Sequence, residues 1–216
     1  MGLTTINSMT LKVKAQTVRD AIDEQKDGIF ANLKELVSFN SPRGEAGNRE
    51  AAAWVKEAFE KFGVDMTAHE TSDGTLALVG TRAVEEGAPE VLLYSHYDVV
   101  PAGDPEKWDS DPFTLTERDG RWYGRGAADC KGNVAAHLAV LQAVEKLGGT
   151  RCNLRIVIEG SEEVGGEGLD SLIDAHPELF KADVICIVDA GNSKVGVPTL
   201  TSSPVSYTHL TLPTNR

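Results

Sequence analysis

The chain has 216 residues, 41% hydrophobic and 25% charged, with 33 acidic against 21 basic side chains and a net charge of −12. That composition is globular, and its acidity excludes a nucleic-acid binder, which needs a basic face, and a binder of anionic membrane surfaces. The cysteines, Cys130, Cys152 and Cys186, are an odd, sparse set that argues against a disulfide framework and for a reducing, cytoplasmic setting.

Val18 to Phe39 reads as one helix, with Ile22, Ile29, Leu33, Leu36 and Val37 near one face, stopped by Ser41-Pro42. A second helix is expected from Asn48 to Lys61, burying Ala52, Val55, Phe59 and Phe62, with Gly63 as its C-terminal cap. Short strands follow near Val64–His69 and Leu76–Gly80, then an apolar one at Val91–Ser95. Pro101 to Gly126 reads as a long irregular stretch, ordered by Trp108, Phe113, Trp122 and Tyr123. Beyond it lie a helix from Lys131 to Leu147, a strand at Asn153–Ile158, a short helix at Leu169–Ala175 and a wholly apolar strand at Val184–Val188. No segment near Met1–Thr10 has the apolar core of a secretory signal, and no run approaches the roughly 20 residues of a membrane span. Helices alternating with continuous apolar strands predict an α/β fold whose sheet is covered on both faces.

The polar residues that follow these strands carry the chemistry. His96 and Asp98 are two apart after the first apolar strand, so extended backbone turns both to one face. Glu162 and Glu163 follow the strand at Asn153–Ile158, Asp189 ends the last strand, and Asp129 precedes the helix at Lys131. Sites in α/β sheets form at the carboxyl ends of strands, so these acids are candidates for one crevice. Taken singly each has a plainer role: a packed core histidine, a helix N-cap at Asp129, a solvated glutamate pair, a turn cap at Asp189. Taken together they would repel one another and raise each other's pKa unless cations were bound. One His with several carboxylates suits Zn²⁺, and Mn²⁺ or Co²⁺ less decisively. Cys130 is either a soft ligand or a small buried filler, the filler being favoured. His137 is expected to pack within its helix, while His69, His176 and His209 have no supporting constellation.

Ser-His-Tyr-Asp-Val-Val-Pro at 95–101, Trp108 with Asp111-Pro112-Phe113, Gly-Arg-Trp-Tyr-Gly-Arg-Gly-Ala-Ala-Asp-Cys-Lys-Gly at 120–132, Glu-Gly-Ser-Glu-Glu-Val-Gly at 159–165 and Asp189 occur in order. Together they resemble the co-catalytic zinc metallopeptidases that include carnosinase, bacterial dipeptidases, aminoacylase and carboxypeptidase G. The resemblance implies a three-layer αβα domain with a mixed, mostly parallel sheet, of which this chain holds the N-terminal portion. It implies two Zn²⁺ ions: His96 and Asp189 on one, Asp129 bridging, and Glu163 on the other. Glu162 resembles the general base that deprotonates the attacking water, and Asp98 the acid that orients His96.

An Asp at position 189 goes with dipeptidase members, so the expected substrate is a dipeptide or similar small peptide. The alternatives are an N-acyl-amino-acid deacylase or a catalytically silent metal-binding fragment. Family members are usually about twice as long, through a lid and dimerisation domain and a resumed catalytic segment that supply two further histidines; a homodimer is implied for the full-length protein. Here the pattern is followed to about Thr201, and Ser202 to Arg216 reads as an unrelated tail on a truncated chain.

Overall fold

The structure, a computed structural model, describes residues 15–190 together with Lys194 and Val197. The expected tail at 202–216, with His209, lies outside the described residues.

The elements run α1 (Ala15–Asp23), α2 (Lys26–Ser38), α3 (Ala46–Glu60), β1 (Asp65–Glu70), β2 (Leu76–Arg82), β3 (Glu90–His96), β4 (Thr116–Arg118), β5 (Arg121–Tyr123), α4 (Lys131–Lys146), β6 (Asn153–Glu159), α5 (Glu167–Ala175) and β7 (Val184–Ile187). Five strands form one sheet in the order β1-β2-β6-β3-β7. The sheet is mixed, as expected; β1 and β6 pair antiparallel with β2, while β6 and β7 pair parallel with β3.

Side chains alternate across the pleat and build a core on each face. Ile156 and Ile158 of β6 join Leu36, Val55, Phe59, Val134 and Leu138 from α2, α3 and α4. Val157, between them, joins Val79, Leu92, Leu169 and Leu172 on the side of α5. These are the three layers.

Two expectations are revised. The helix expected over Val18–Phe39 is two helices, broken at Glu24-Gln25. Buried Gln25 folds its amide back onto the Ala21 carbonyl, and its backbone (φ −105°, ψ 5°) leaves the helical region, so the side chain closes α1 where periodicity alone would continue it. The stretch Pro101–Gly126 contains the hairpin β4–β5. Asp119 and Gly120 both take positive φ (51° and 72°), the conformation an Asp-Gly hairpin turn requires. The hairpin is anchored by Trp122, whose ring meets Phe30 edge-on at 5.1 Å, and the preceding loop by Trp108, whose indole donates to the Ala102 carbonyl at 2.9 Å.

The apolar strand β7 is not covered on both faces among the described residues. It lies at the sheet edge, with Ile185 57% and Ile187 62% exposed. An open apolar edge is a template for pairing with another chain. Ile185→Lys with Ile187→Lys is therefore expected to lower self-association of the 216-residue chain, read by light scattering, with far-UV circular dichroism unchanged.

Candidate metal centre

Parallel pairing puts His96, the last residue of β3, opposite Glu159, the last of β6. The segments after β3, β6 and β7 and the start of α4 therefore meet at the carboxyl ends of these parallel strands. His96 is fully buried, and its Nε2 has no hydrogen-bond partner. Around that nitrogen lie Asp129 Oδ1 at 3.2 Å, Asp189 Oδ2 at 3.4 Å and Glu162 Oε2 at 3.6 Å. An orphaned buried nitrogen ringed by carboxylate oxygens is costly unless something binds it.

A divalent cation fits that requirement. Ligands about 2.0–2.2 Å from a tetrahedral Zn²⁺ stand about 3.3–3.6 Å from one another; the spacings of Asp129 and Asp189 from His96 lie in or next to that interval, and among the described residues the group whose ligand atoms all lie within 4.8 Å of one another is His96, Cys130 and Asp189. Burial would lower the imidazole's pKa, but hydrogen bonds to Asp98 and Cys130 and their charges push it up.

Asp98, also buried, links two parts of the site. Its Oδ1 lies 3.2 Å from His96 Nδ1, leaving Nε2 to face the acids. The same carboxylate accepts the backbone N–H groups of Glu162 (3.2 Å, Oδ1) and Glu163 (3.0 Å, Oδ2), which open the short 3₁₀ turn Glu162–Val164. The Asp98 carbonyl oxygen also lies 3.2 Å from Nδ1, so this one residue engages the imidazole through backbone and carboxylate while its carboxylate holds the turn that carries both glutamates. Burial raises the Glu162 pKa, with His96 opposing and Asp189, Asp98 and Asp129 adding to the rise. Burial also raises that of Glu163, followed by the charge of Asp129, which places those two carboxylates in one field.

Cys130, weighed from the sequence as ligand or filler, is joined by partners that sequence reasoning missed. Cys130 is buried, as a filler would be, but its sulfur lies within 4.8 Å of ligand atoms of His96 and Asp189, and it contacts Ser95 Oγ at 2.9 Å. Asn133, in the first turn of α4, donates to that sulfur at 3.0 Å and to Asp189 Oδ1 at 3.4 Å. Glu159 is buried, accepts from Tyr94 at 2.6 Å, and is pushed up to about 7 by burial, against the Tyr94 hydrogen bond. The glutamate at the strand end was visible in the sequence; its tyrosine partner, far along the chain, was not. His137 packs as expected, its Nε2 3.1 Å from the Tyr94 carbonyl oxygen.

The loop between β6 and the glutamate turn is shaped by close packing. Asn48 donates to the carbonyls of Gly160 (2.9 Å) and Ser41 (3.1 Å), while the Ser41 hydroxyl donates to that of Tyr97 (2.8 Å). The buried Tyr97 ring lies against Gly160, where a Cβ would fall 2.2 Å from the phenol oxygen.

A family model described as Peptidase family M20/M25/M40 matches residues 92–210. A cysteinylglycine-S-conjugate dipeptidase of Corynebacterium striatum is 54% identical over 182 residues, covering 82% of this chain and 40% of that protein. A Beta-Ala-His dipeptidase of Homo sapiens is 32% identical over 188 residues, covering 79% of this chain and 37% of that protein. Among solved structures, human carnosine dipeptidase 1 superposes with a TM-score of 0.72 at 27% identity, over 79% of this chain and 40% of that one. The chain spans about two fifths of the length of these relatives.

Proposed function

The chain belongs to peptidase family M20/M25/M40, and from that premise we propose that the whole protein is a metal-dependent hydrolase of dipeptides, with zinc as its metal. The observation that carries this reading is the buried His96 Nε2 with Asp129, Asp189 and Glu162 gathered around it. We assign His96 and Asp189 to one ion, Asp129 to a bridge and Glu163 to a second ion. Bound there, the ions would polarise the scissile carbonyl and acidify the attacking water.

The chain's own residues do the rest. Glu162 takes the proton of the attacking water and returns it to the departing amine. Its raised pKa brings it toward the range in which one carboxylate both accepts and donates. Asp98 fixes the imidazole and the glutamate turn in one geometry. Among the described residues the second ion has only Asp129 and Glu163; the length of the relatives leaves room for its closing ligand elsewhere in a longer protein. Free Cys130, Cys152 and Cys186 suit a reducing, cytoplasmic setting.

Dipeptides are preferred over N-acyl amino acids because similar proteins at 54% and 32% identity carry dipeptidase names. A panel of Cys-Gly, β-Ala-His and N-acetyl amino acids, assayed on the full-length protein with added zinc, tests this. Faster turnover of the acetylated substrates would overturn it. Asp98→Ala is expected to weaken zinc binding about 10- to 100-fold, the usual cost of losing a ligand's orienting partner, measured by competition with a chromophoric chelator. Wild-type affinity in that variant would remove Asp98 from the site.

A further inference from the structure

The turn between β1 and β2, residues 71–75, is distant in sequence from the metal centre yet packs on the segment that carries Glu162 and Glu163. Asp73 is its hub. Its Oδ1 accepts hydrogen bonds from Thr71 Oγ1 (2.7 Å), Thr75 Oγ1 (2.8 Å) and the Thr75 backbone N–H (3.0 Å). These bonds close the turn and occupy one carboxylate oxygen. The other, Oδ2, and the hydroxyl of Ser161 are both buried, and neither has a hydrogen-bond partner among the described residues. The hydroxyl is near enough to act on the carboxylate. Burial would raise the Asp73 pKa, but the nearby Ser161 hydroxyl and the groups of Thr71 and Thr75 hold it well below the usual carboxylate range.

A second grip lies just past the glutamates. Gly168, in the first turn of α5, abuts the same carboxylate: a Cβ there would sit 2.7 Å from Asp73 Cγ and from both of its oxygens. Beside it, Ser72 Oγ meets Ser171 Oγ at 3.0 Å. Between the grips lie Gly165 (φ +105°) and Gly166 (φ +65°), in the left-handed conformation that glycine adopts without strain, their N–H groups bonded to the carbonyls of Glu162 and Ser161 at 2.9 Å. The turn itself is tied to α3 by Arg49, which donates to Glu70 at 2.9 and 2.8 Å and to the Gly74 carbonyl at 3.2 Å. The loop that carries the two glutamates thus packs at both ends against one carboxylate.

We propose that Asp73 is a positioning residue for the metal centre: through Ser161 and Gly168 it fixes the loop that presents Glu162 and Glu163. The proposal rests on the metal-site reading above and deepens it.

Zinc affinity of the 216-residue chain, by chelator competition, and hydrogen exchange at residues 161–168 together provide the test. Asp73→Ala is expected to weaken zinc binding by about tenfold and to speed exchange across 161–168. Asp73→Asn keeps an acceptor for the turn and an amide that can donate to Ser161 Oγ, so it should restore both readouts to near wild type. Should Asp73→Ala fail to fold, Ser161→Ala carries the test, since it removes the contact to the loop and leaves the turn intact. A merely structural Asp73 would lower Tm and speed exchange only at 71–75, with zinc affinity unchanged; that result overturns the proposal. If the wild-type chain itself takes up no zinc, the metal reading fails, while exchange at 161–168 still decides whether Asp73 holds the loop.

Discussion

Glu162→Gln in the full-length protein is expected to retain both metals and to lose turnover by about 10²- to 10⁴-fold, the usual worth of a positioned general base. The substitution preserves shape, and the backbone N–H of residue 162 still reaches Asp98 Oδ1, so the turn keeps its anchor. What disappears is the ability to accept a proton 3.6 Å from the His96 nitrogen that marks the centre. The raised pKa of Glu162 sharpens the expectation, because a carboxylate left at its ordinary acidity would be a weaker base. Elemental analysis and steady-state kinetics on the same preparation check it. An unchanged kcat would assign the proton transfer elsewhere; lost metal would make Glu162 a ligand.

Asp129→Ala is the second large effect. Its carboxylate stands 3.2 Å from His96 Nε2 and dominates the charge felt by Glu163 after burial. If it serves both ions, its loss removes a ligand from each, and zinc content should fall to background after dialysis. A variant that keeps full zinc by elemental analysis would refute the bridging role. Asp189→Ala offers the contrast: it touches only the His96 side and should spare whatever the Glu163 side retains.

Much of this centre was legible from the chain because its chemistry sits where strands end. His96 and Asp98 announce themselves by spacing, and Glu162, Glu163 and Asp189 by following apolar runs. Partners supplied by distant segments were not legible. That Asp98 accepts from the two glutamate amides depends on loop geometry more than sixty residues downstream. Asn133 and Tyr94 carry no local mark, since an Asn in a first helical turn and a Tyr in a strand are ordinary. The break at Gln25 escaped periodicity because a side-chain amide, not a Gly or Pro, ends α1. The hairpin, by contrast, was written plainly in Asp119-Gly120, overshadowed by the Pro and Gly content around it.

The contact of Gly160 with the Tyr97 ring has an evolutionary consequence. With 2.2 Å between the missing Cβ and a phenol oxygen that also donates to the Leu76 carbonyl, neither partner can yield alone. Substitutions at these two positions should therefore covary. Across an alignment of relatives, a residue larger than glycine at 160 should appear only where 97 has lost its aromatic ring. Lineages that keep Tyr97 should keep Gly160, even if their substrates diverge.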